Sequence, residues 1–373
     1  MSALIAASVI STCLGDGPQT FAALLRGESG AGLLRHSGPE RLGVHAGYHI
    51  GGDDPDRPFR AGELLAGCLR AAVRESGLDP RTARAVVLVG TGLRELSAVE
   101  HWATGGPVFP DRRLHFGDVV RQVLPAARDV VTISNACSAG GHALALAQDM
   151  VELGEADVVI ACGTDTMTRS MLAMIGRVAP VPTTRVRPFD QDRQGVLLGE
   201  AAAAVVVVPE DWTGPVRGRV AATGLSCDAH HETAPDIEGI GRAIRNAYER
   251  AGHTVSDVDL VVAHGTGTAL NDPAESEALR KAVAGAGPGP LITAVKGAVG
   301  HTSGSAALVN VDVALRCLDT GAVPPVVGLR TVLPEGHGLR FVRDRPVRTP
   351  VRLAQVNSFG FGGVNAVTLL EAA

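Results

Sequence analysis

The sequence predicts a duplicated α/β protein with five layers in the order α/β/α/β/α. Two strand-turn-helix junctions give the first signal, VVTISNACSAGGHALALAQDMV at 130–151 and LITAVKGAVGHTSGSAALVNV at 291–311. The second signal is an internal repeat, because residues 64–92 align without a gap to residues 239–267 and both end in Gly-Thr-Gly. Long runs of Val, Ala and Ile are typical of strands that helices cover on both faces. Two such halves, packed through their helices, give the five layers.

The repeat divides the chain into an N-terminal half, 1–212, and a C-terminal half, 213–373. Each copy has the pattern of an amphipathic helix, a glycine stop, a short loop and a buried strand. Later strands of the first half are predicted at 157–163 and 201–210, where the sequence is almost entirely apolar. The tail, 352–372, predicts two strands around a Gly-rich turn.

Two segments, 36–59 and 101–118, interrupt this regular pattern. Both are rich in Gly, Pro, His and Arg. Such residues are typical of loops and turns, so we predict that both segments run over the surface. The sequence does not indicate what either segment does.

Composition excludes several classes of protein. The chain has 373 residues, is 45% hydrophobic and carries a net charge of −5, which gives no reason to expect a nucleic-acid partner. No apolar run approaches the roughly 20 residues of a membrane helix, so we expect no membrane insertion. The apolar N-terminus, MSALIAASVI, has no basic residues and predicts a first strand rather than a signal peptide.

The six cysteines, at positions 13, 68, 137, 162, 227 and 317, show no CxxC spacing. The spacing therefore favours neither a zinc site nor a redox pair, and no metal site is expected. Unpaired cysteines are typical of a reducing compartment, which predicts a cytoplasmic protein.

Cys137 differs from the others because it stands between a predicted strand and a predicted helix. Residues 139–141, Ala-Gly-Gly, leave its first turn uncrowded. At a helix N-terminus, free N–H groups stabilise a thiolate and can form part of an oxyanion hole. A buried structural cysteine is the alternative, and this context alone leaves both open.

Two histidines also follow predicted strands, both in the half opposite Cys137. His264 is flanked by Gly-Thr-Gly-Thr, and His301 lies in the Gly-rich turn KGAVGHTSG. Neutral imidazoles can donate Nε2–H to a developing oxyanion. The alternative is an ordinary core or loop histidine. The remaining histidines, including His230 and His231, are predicted to lie on the surface.

Lysine is rare in this chain. Of 34 basic residues only Lys281 and Lys296 are lysines, and the rest are arginines. A coding bias towards arginine explains the general pattern. Under such a bias a lysine can persist where a compact ammonium is needed and a planar guanidinium does not fit. Lys296, at a strand end in a Gly-rich turn, is the stronger candidate, whereas Lys281 is predicted in a polar helix.

Five motifs together resemble a known family. They read NACSAG, PFDQDRQGVLLGEAA, HGTGTALNDPAE, KGAVGHTSGSAAL and NSFGFGGVNA, in this order between residues 130 and 366. The chain resembles a β-ketoacyl synthase of the thiolase superfamily, of the elongating Cys-His-His type. The resemblance implies a thiolase-like fold and a decarboxylative Claisen condensation. Fatty acid and polyketide biosynthesis both stay open.

The resemblance also implies roles for individual residues. Cys137 matches the acyl-accepting nucleophile, and its N–H would form the oxyanion hole with that of the gating residue Phe361. His264 and His301 match two histidines that promote decarboxylation. Lys296 matches a lysine that orders them, and Glu275 matches its acidic companion. Thr266 and Thr268 match two threonines that contact phosphopantetheine. No cofactor is implied beyond the phosphopantetheine of an acyl carrier protein, which would be the partner.

Departures from the family pattern concern the pocket more than the chemistry. The usual GEGA is GEAA here, and Val364 stands where threonine is common. The resemblance implies a homodimer, or a heterodimer with a related chain that lacks the cysteine. The alternatives are an acyltransferase without condensation and a non-catalytic chain-length partner, although the cysteine and both histidines argue against the latter. A thiolase would have a second cysteine in the last motif, and a Cys-His-Asn synthase would have asparagine near 301.

Overall fold

The computed structural model describes residues 2–178, 182–285 and 287–373. The described strands fall into two groups along the chain. The first group is β1 (Ala3–Thr12), β2 (Gly15–Asp16), β3 (Gly32–Leu33), β4 (Ala46–Gly47), β5 (Val86–Gly90), β6 (Asp129–Ile133), β7 (Val159–Asp165) and β8 (Ala201–Pro209). The second is β9 (Gly218–Cys227), β10 (Leu260–Val262), β11 (Leu291–Thr293), β12 (Ala322–Val323), β13 (Arg340–Phe341), β14 (Val347–Arg348), β15 (Leu353–Gly360) and β16 (Val364–Glu371).

The main sheet consists of two half-sheets with the same strand order. The first half-sheet runs β6-β5-β7-β8-β1 and the second runs β11-β10-β15-β16-β9, with β13 beside β11. In each half-sheet, the first two pairings between neighbouring strands are parallel and the next two pairings are antiparallel. A short antiparallel pairing of β1 with β9 joins the halves. This repetition of order and direction agrees with an internal duplication.

Helices form the other layers. They are α1 (Gly17–Leu25), α2 (Pro39–Leu42), α3 (Arg60–Ser76), α4 (Leu96–Ala103), α5 (Gly117–Val123), α6 (Ala139–Glu152), α7 (Arg169–Val178), α8 (Ile237–Ala251), α9 (Asn271–Ala282), α10 (Lys296–Val299) and α11 (Ala306–Thr320). Helices α6 and α11 pack against each other and against both half-sheets, so they form the middle layer. Helix α3 covers the first half-sheet from outside, and α8 covers the second.

The core follows these layers. One apolar cluster surrounds α6 and α11, a second lies under α3, and a third lies under α8 and α9. Strand β7 is buried at every position, as its apolar sequence predicts for a strand covered on both faces. The predicted duplicated five-layer α/β fold is confirmed. The division between residues 212 and 213 stays a prediction.

Local predictions differ from the structure at several places. Strand β7 begins two residues later than expected, at Val159 rather than 157, and β8 ends at Pro209. The surface prediction for 36–59 is wrong in its middle, because Leu42, Val44 and Tyr48 are buried. Their apolar side chains pack in a cluster with others from elsewhere in the chain, a contact that no local pattern reveals. Most of 101–118 is exposed, as predicted.

Helix length also bears on the membrane prediction. Among the described residues, every helix is too short or too polar to cross a bilayer.

Candidate active site

The site forms where the two repeated junctions meet. A 3₁₀ turn, Ala136–Ser138, precedes α6, and a second 3₁₀ turn, Ser303–Ser305, precedes α11. The first residue of each turn has a positive φ, 59° at Ala136 and 48° at Ser303. Both turns therefore share a strained backbone, and Gly304 in the second occupies the place of Cys137 in the first. A Cβ added to Gly140 would lie 2.6 Å from Gly304 O, which shows how closely the junctions pack.

Cys137 is half-buried in its turn. Its carbonyl oxygen accepts a hydrogen bond from Ser358 Oγ at 3.2 Å. Burial raises the pKa of the thiol to about 11, while nearby Lys296 and the Phe361 N–H act in the opposite direction. Burial therefore opposes the stabilisation of a thiolate that the helix N-terminus offers.

His264 follows β10 and is buried. Its Nδ1 accepts the N–H of Phe359 at 3.4 Å and lies 3.3 Å from Lys296 Nζ. Burial, together with the charge of Lys296, holds the pKa of His264 well below its usual value. The ring is therefore neutral, and because Nδ1 is the acceptor, the proton is carried on Nε2. Since Ser358 contacts Cys137 and Phe359 contacts His264, one strand end holds both residues.

His301 lies just before the second turn, and its ring nitrogen Nδ1 is also occupied by a backbone donor. Its Nδ1 accepts the N–H of Ser303 at 3.3 Å, which again leaves the proton on Nε2. Burial and the charge of Lys296 hold its pKa well below the usual value. The rings of His264 and His301 are 5.5 Å apart between centroids and almost perpendicular, at 87°. The site therefore has two neutral imidazoles, each with an Nε2–H donor.

Lys296 begins α10 and is 1% exposed. Its ammonium donates to the backbone oxygen of His264. Burial lowers the pKa of Lys296 to about 8, although the carboxylate of Glu275 opposes that change. Glu275, the acidic companion that the resemblance gives Lys296, does not contact the ammonium directly, because the backbone of His264 lies between the two groups.

Glu275 holds His264 from the other side. Its two carboxylate oxygens accept the backbone N–H groups of His264 and Gly265, each at 2.8 Å, and Asn357 Nδ2 donates to it at 2.9 Å. Burial raises the pKa of this carboxyl group. Lys296 and Glu275 therefore clamp the same residue, one at its carbonyl and one at its amide.

The predicted pantetheine and gating residues lie around this centre. The hydroxyl oxygens of Thr266 and Thr268 are 2.9 Å apart. Asp272, which is fully buried, accepts the Thr266 N–H at 3.0 Å and thereby fixes this loop. Phe361 is 53% exposed, as expected of a residue at the mouth of a site. The roles of all these residues stay predictions.

Asp165 is a site residue that the sequence reasoning missed. It is buried at the end of β7, and its carboxylate accepts N–H groups from Gly92 and Leu93 and, at 2.6 Å, from Gly304. Burial raises its pKa to about 6. Asp165 thus ties the turn Ser303–Ser305 to a loop of the first half. The available signal was a lone acid at the end of an apolar strand.

The surface prediction for the other histidines is correct for His230 and His231 and wrong for His36. His36 is 2% exposed, and its Nε2 lies 3.2 Å from Met167 O. The segment around it packs into the apolar cluster described above. This histidine lies outside the contacts that join Cys137, His264 and His301.

The contacts support acyl chemistry at Cys137. The Cys137 sulfur could attack a carbonyl as a nucleophile. The backbone N–H groups near Cys137 and the two Nε2–H donors could each stabilise an oxyanion, one after the other. Neutral imidazoles donate to an enolate without adding a buried charge, which suits a closed site.

Two family models match the chain. The model described as "Beta-ketoacyl synthase, N-terminal domain" matches residues 60–211, and "Beta-ketoacyl synthase, C-terminal domain" matches 217–330. The first range contains Cys137, and the second contains both His264 and His301.

Individual proteins show the same similarity. "Nodulation protein E" of Rhizobium meliloti is 31% identical over 314 residues, which cover 79% of this chain and 78% of the relative. "3-oxoacyl-acyl-carrier-protein synthase 2" of Mycobacterium leprae (strain TN) is 34% identical over 254 residues, 64% of this chain and 60% of the relative. The solved structure "The ishigamide ketosynthase/chain length factor" matches with a TM-score of 0.90 and 29% identity, and the match covers 100% of this chain and 99% of that one. This match confirms the predicted thiolase-like fold.

Proposed function

The chain belongs to the β-ketoacyl synthase family, and on that premise we propose that it joins an acyl group held on Cys137 to a malonyl unit by decarboxylative Claisen condensation. Membership makes the protein a condensing acyltransferase of fatty acid or polyketide biosynthesis. The observation that carries the proposal is the pair of buried, neutral imidazoles of His264 and His301, each with Nδ1 occupied and Nε2–H available.

In the first half-reaction, Cys137 Sγ attacks the thioester carbonyl of an acyl carrier. The new bond is C–S to Cys137, and the bond to the carrier sulfur breaks. The carrier thiol takes up the proton that the Cys137 thiol gives up. The tetrahedral oxyanion would be held by the backbone N–H groups of Cys137 and Phe361.

In the second half-reaction, the thioester oxygen of a malonyl carrier accepts hydrogen bonds from His264 Nε2–H and His301 Nε2–H. Carbon dioxide leaves, and the electrons of the broken C–C bond form an enolate whose oxygen these donors stabilise. The enolate carbon attacks the acyl-Cys137 carbonyl. A new C–C bond forms, the C–S bond breaks, and the released thiolate takes up one proton.

Substrates would arrive on the phosphopantetheine arm of an acyl carrier protein, with no further cofactor. Thr266 and Thr268 are proposed to contact that arm, since their paired hydroxyls lie on the loop that follows His264. Phe361 is proposed as the gate. All six cysteines are unpaired, which supports a cytoplasmic location.

A dimer is proposed through the first half of the chain. Strand β6 is the outer strand of its half-sheet, and Val131 on it is 43% exposed. On α6, Leu146 is 41% exposed. An open strand edge beside exposed apolar residues is typical of a surface that a partner covers. The partner would be a second copy or a related chain without the cysteine.

The test follows the acyl group by mass. The purified chain is incubated with an acyl carrier thioester and then with malonyl carrier. We expect a mass gain of one acyl group, its loss on addition of malonyl carrier, and a β-ketoacyl carrier product. Cys137→Ala should abolish the gain, whereas the matched controls Cys162→Ala and Cys227→Ala should keep it. Covalent acylation of Cys137→Ala would contradict the assignment.

The second step separates condensation from its alternative. If the acyl group leaves Cys137 for an amine or alcohol and malonyl carrier yields no β-ketoacyl product, the chain is an acyltransferase without condensation. If the parent chain does not acylate at all, it is a non-catalytic partner.

A further inference from the structure

Tyr48 lies directly behind the turn that carries Lys296 and His301. The side chain is completely buried. Its hydroxyl group donates to Gly297 O at 3.3 Å and accepts the N–H of Val186 at 3.1 Å. The carbonyl that it contacts belongs to the residue next to Lys296, so the hydroxyl fixes the start of the turn.

The ring of Tyr48 fixes the end of the same turn. Gly300, the residue before His301, has a φ of 73°, which favours glycine. A Cβ at Gly300 would lie only 2.4 Å from Tyr48 Cδ2, so the ring packs directly on this backbone. One tyrosine thus contacts the residues that adjoin both Lys296 and His301.

Backbone pairing extends this support to His301 itself. The N–H of His301 donates to Leu197 O at 2.8 Å, and its oxygen accepts the N–H of Gly199 at 3.0 Å. On the other edge of residues 197–199, the N–H of Tyr48 donates to Leu198 O at 3.2 Å. The backbone around Tyr48, residues 197–199 and His301 therefore lie side by side as three paired segments.

A buried ion pair between Arg60 and Glu200 holds the segment that contains Tyr48. Glu200 is fully buried; one oxygen accepts from Arg60 Nη1 at 2.5 Å and the other accepts the Ile50 N–H at 2.8 Å. Arg60, which is 2% exposed, also donates to Ile50 O at 2.7 Å. Because a buried charge is stable only with its partners in place, this geometry resists displacement.

We propose that Tyr48 is a positioning residue for the second half-reaction, holding His301 and Lys296 where they serve the malonyl carbonyl. The proposal rests on the proposed function and deepens it. Tyr48 contacts the backbone of residues 296–301, a segment that begins at Lys296 and ends at His301, whereas Cys137 lies on the turn Ala136–Ser138. Loss of the hydroxyl should therefore impair decarboxylation and leave acylation intact.

The experiment compares Tyr48→Phe with the parent in both half-reactions, at equal folded concentration. Self-acylation should stay within about twofold of the parent, while carbon dioxide release from malonyl carrier should fall by about tenfold or more, as expected when a reacting group moves by a fraction of an ångström. The control is Thr223→Val, which also removes a buried hydroxyl, one that pairs with Thr368 Oγ1 at 3.2 Å in the sheet. It should leave both half-reactions unchanged.

The outcomes are distinct. An equal fall in both half-reactions means that Tyr48 is only structural, and no fall in either means that its hydroxyl is dispensable; both results overturn the proposal. If Tyr48→Phe does not fold, Arg60→Lys tests the same support. Lysine keeps the charge but cannot contact Glu200, Ile50 O and Asp53 at once as the guanidinium does, and the same split is expected. A parent that acylates without condensing overturns the proposed function itself, and this inference with it.

Discussion

Substitution of Lys296 by arginine preserves the charge and tests whether geometry matters. The Lys296 ammonium donates to His264 O and lies 3.3 Å from His264 Nδ1, with 1% of the residue exposed. A guanidinium adds two heavy atoms in a plane. The neighbouring backbone is tightly packed, because a Cβ on Gly297 would lie 1.9 Å from Val327 O. The larger group must therefore displace His264 or the turn.

The magnitude follows from what is displaced. Overpacking a core typically costs about 1–3 kcal/mol, which should lower the melting temperature measurably. Removal of one oxyanion donor costs about 10²–10³ in rate, or about 2.7–4 kcal/mol, so misplacing His264 Nε2–H should reduce condensation by up to that factor. Self-acylation of Cys137 should change far less.

The pH dependence of condensation gives a second test of the role of Lys296. Because burial lowers the pKa of Lys296 to about 8, the parent loses the ammonium as pH rises through that value, and condensation should decline there. Arginine stays protonated, so Lys296→Arg should lack this decline.

The assay is condensation with malonyl carrier at equal folded concentration, checked by thermal melting. Lys281→Arg is the matched control, since Lys281 pairs with Glu238 on the surface and should be silent. Parent-like condensation by Lys296→Arg would refute the geometric reasoning and reduce Lys296 to a generic positive charge.

Two further predictions concern the histidines and the assembly. His264→Ala and His301→Ala should each keep Cys137 acylation and lose about 10²–10³ in condensation, measured as acyl-protein mass and β-ketoacyl product; near-normal condensation in both would favour simple acyl transfer. Light scattering at micromolar concentration should show a dimer, and a well-behaved, active monomer would contradict the proposed use of the β6 edge.

The sequence predicted the layers of this fold because a strand-turn-helix repeat is a local pattern. Small residues, buried apolar runs and glycine stops all act within a few positions of one another. The same local pattern placed Cys137 and His301 at the two repeated strand-turn-helix junctions. The motifs then grouped them with His264 through the resemblance to a family.

Contacts between distant segments were beyond that reasoning. The pKa of Cys137 depends on how completely other segments close over it, and no residue beside it in the chain reports that. Asp165 supports the turn Ser303–Ser305, and Tyr48 supports residues 296–301, both from the other half of the chain. Which distant segment each of them contacts cannot be read from the residues beside it in the sequence. The resemblance made Glu275 the acidic companion of Lys296, whereas in the structure the His264 backbone lies between the two side chains.

The pairing of β1 has a consequence for biosynthesis. Ala3 pairs with Pro209 in β8 and with Val220 in β9, so β1 cannot form these pairings until both later strands have been translated. Cys137 and the two imidazoles are likewise translated far apart, and Gly304 must reach Asp165 before the turn Ser303–Ser305 is anchored. Contacts so distant in sequence form slowly. A chain still on the ribosome therefore carries Cys137 before residues 264 and 301 have been made.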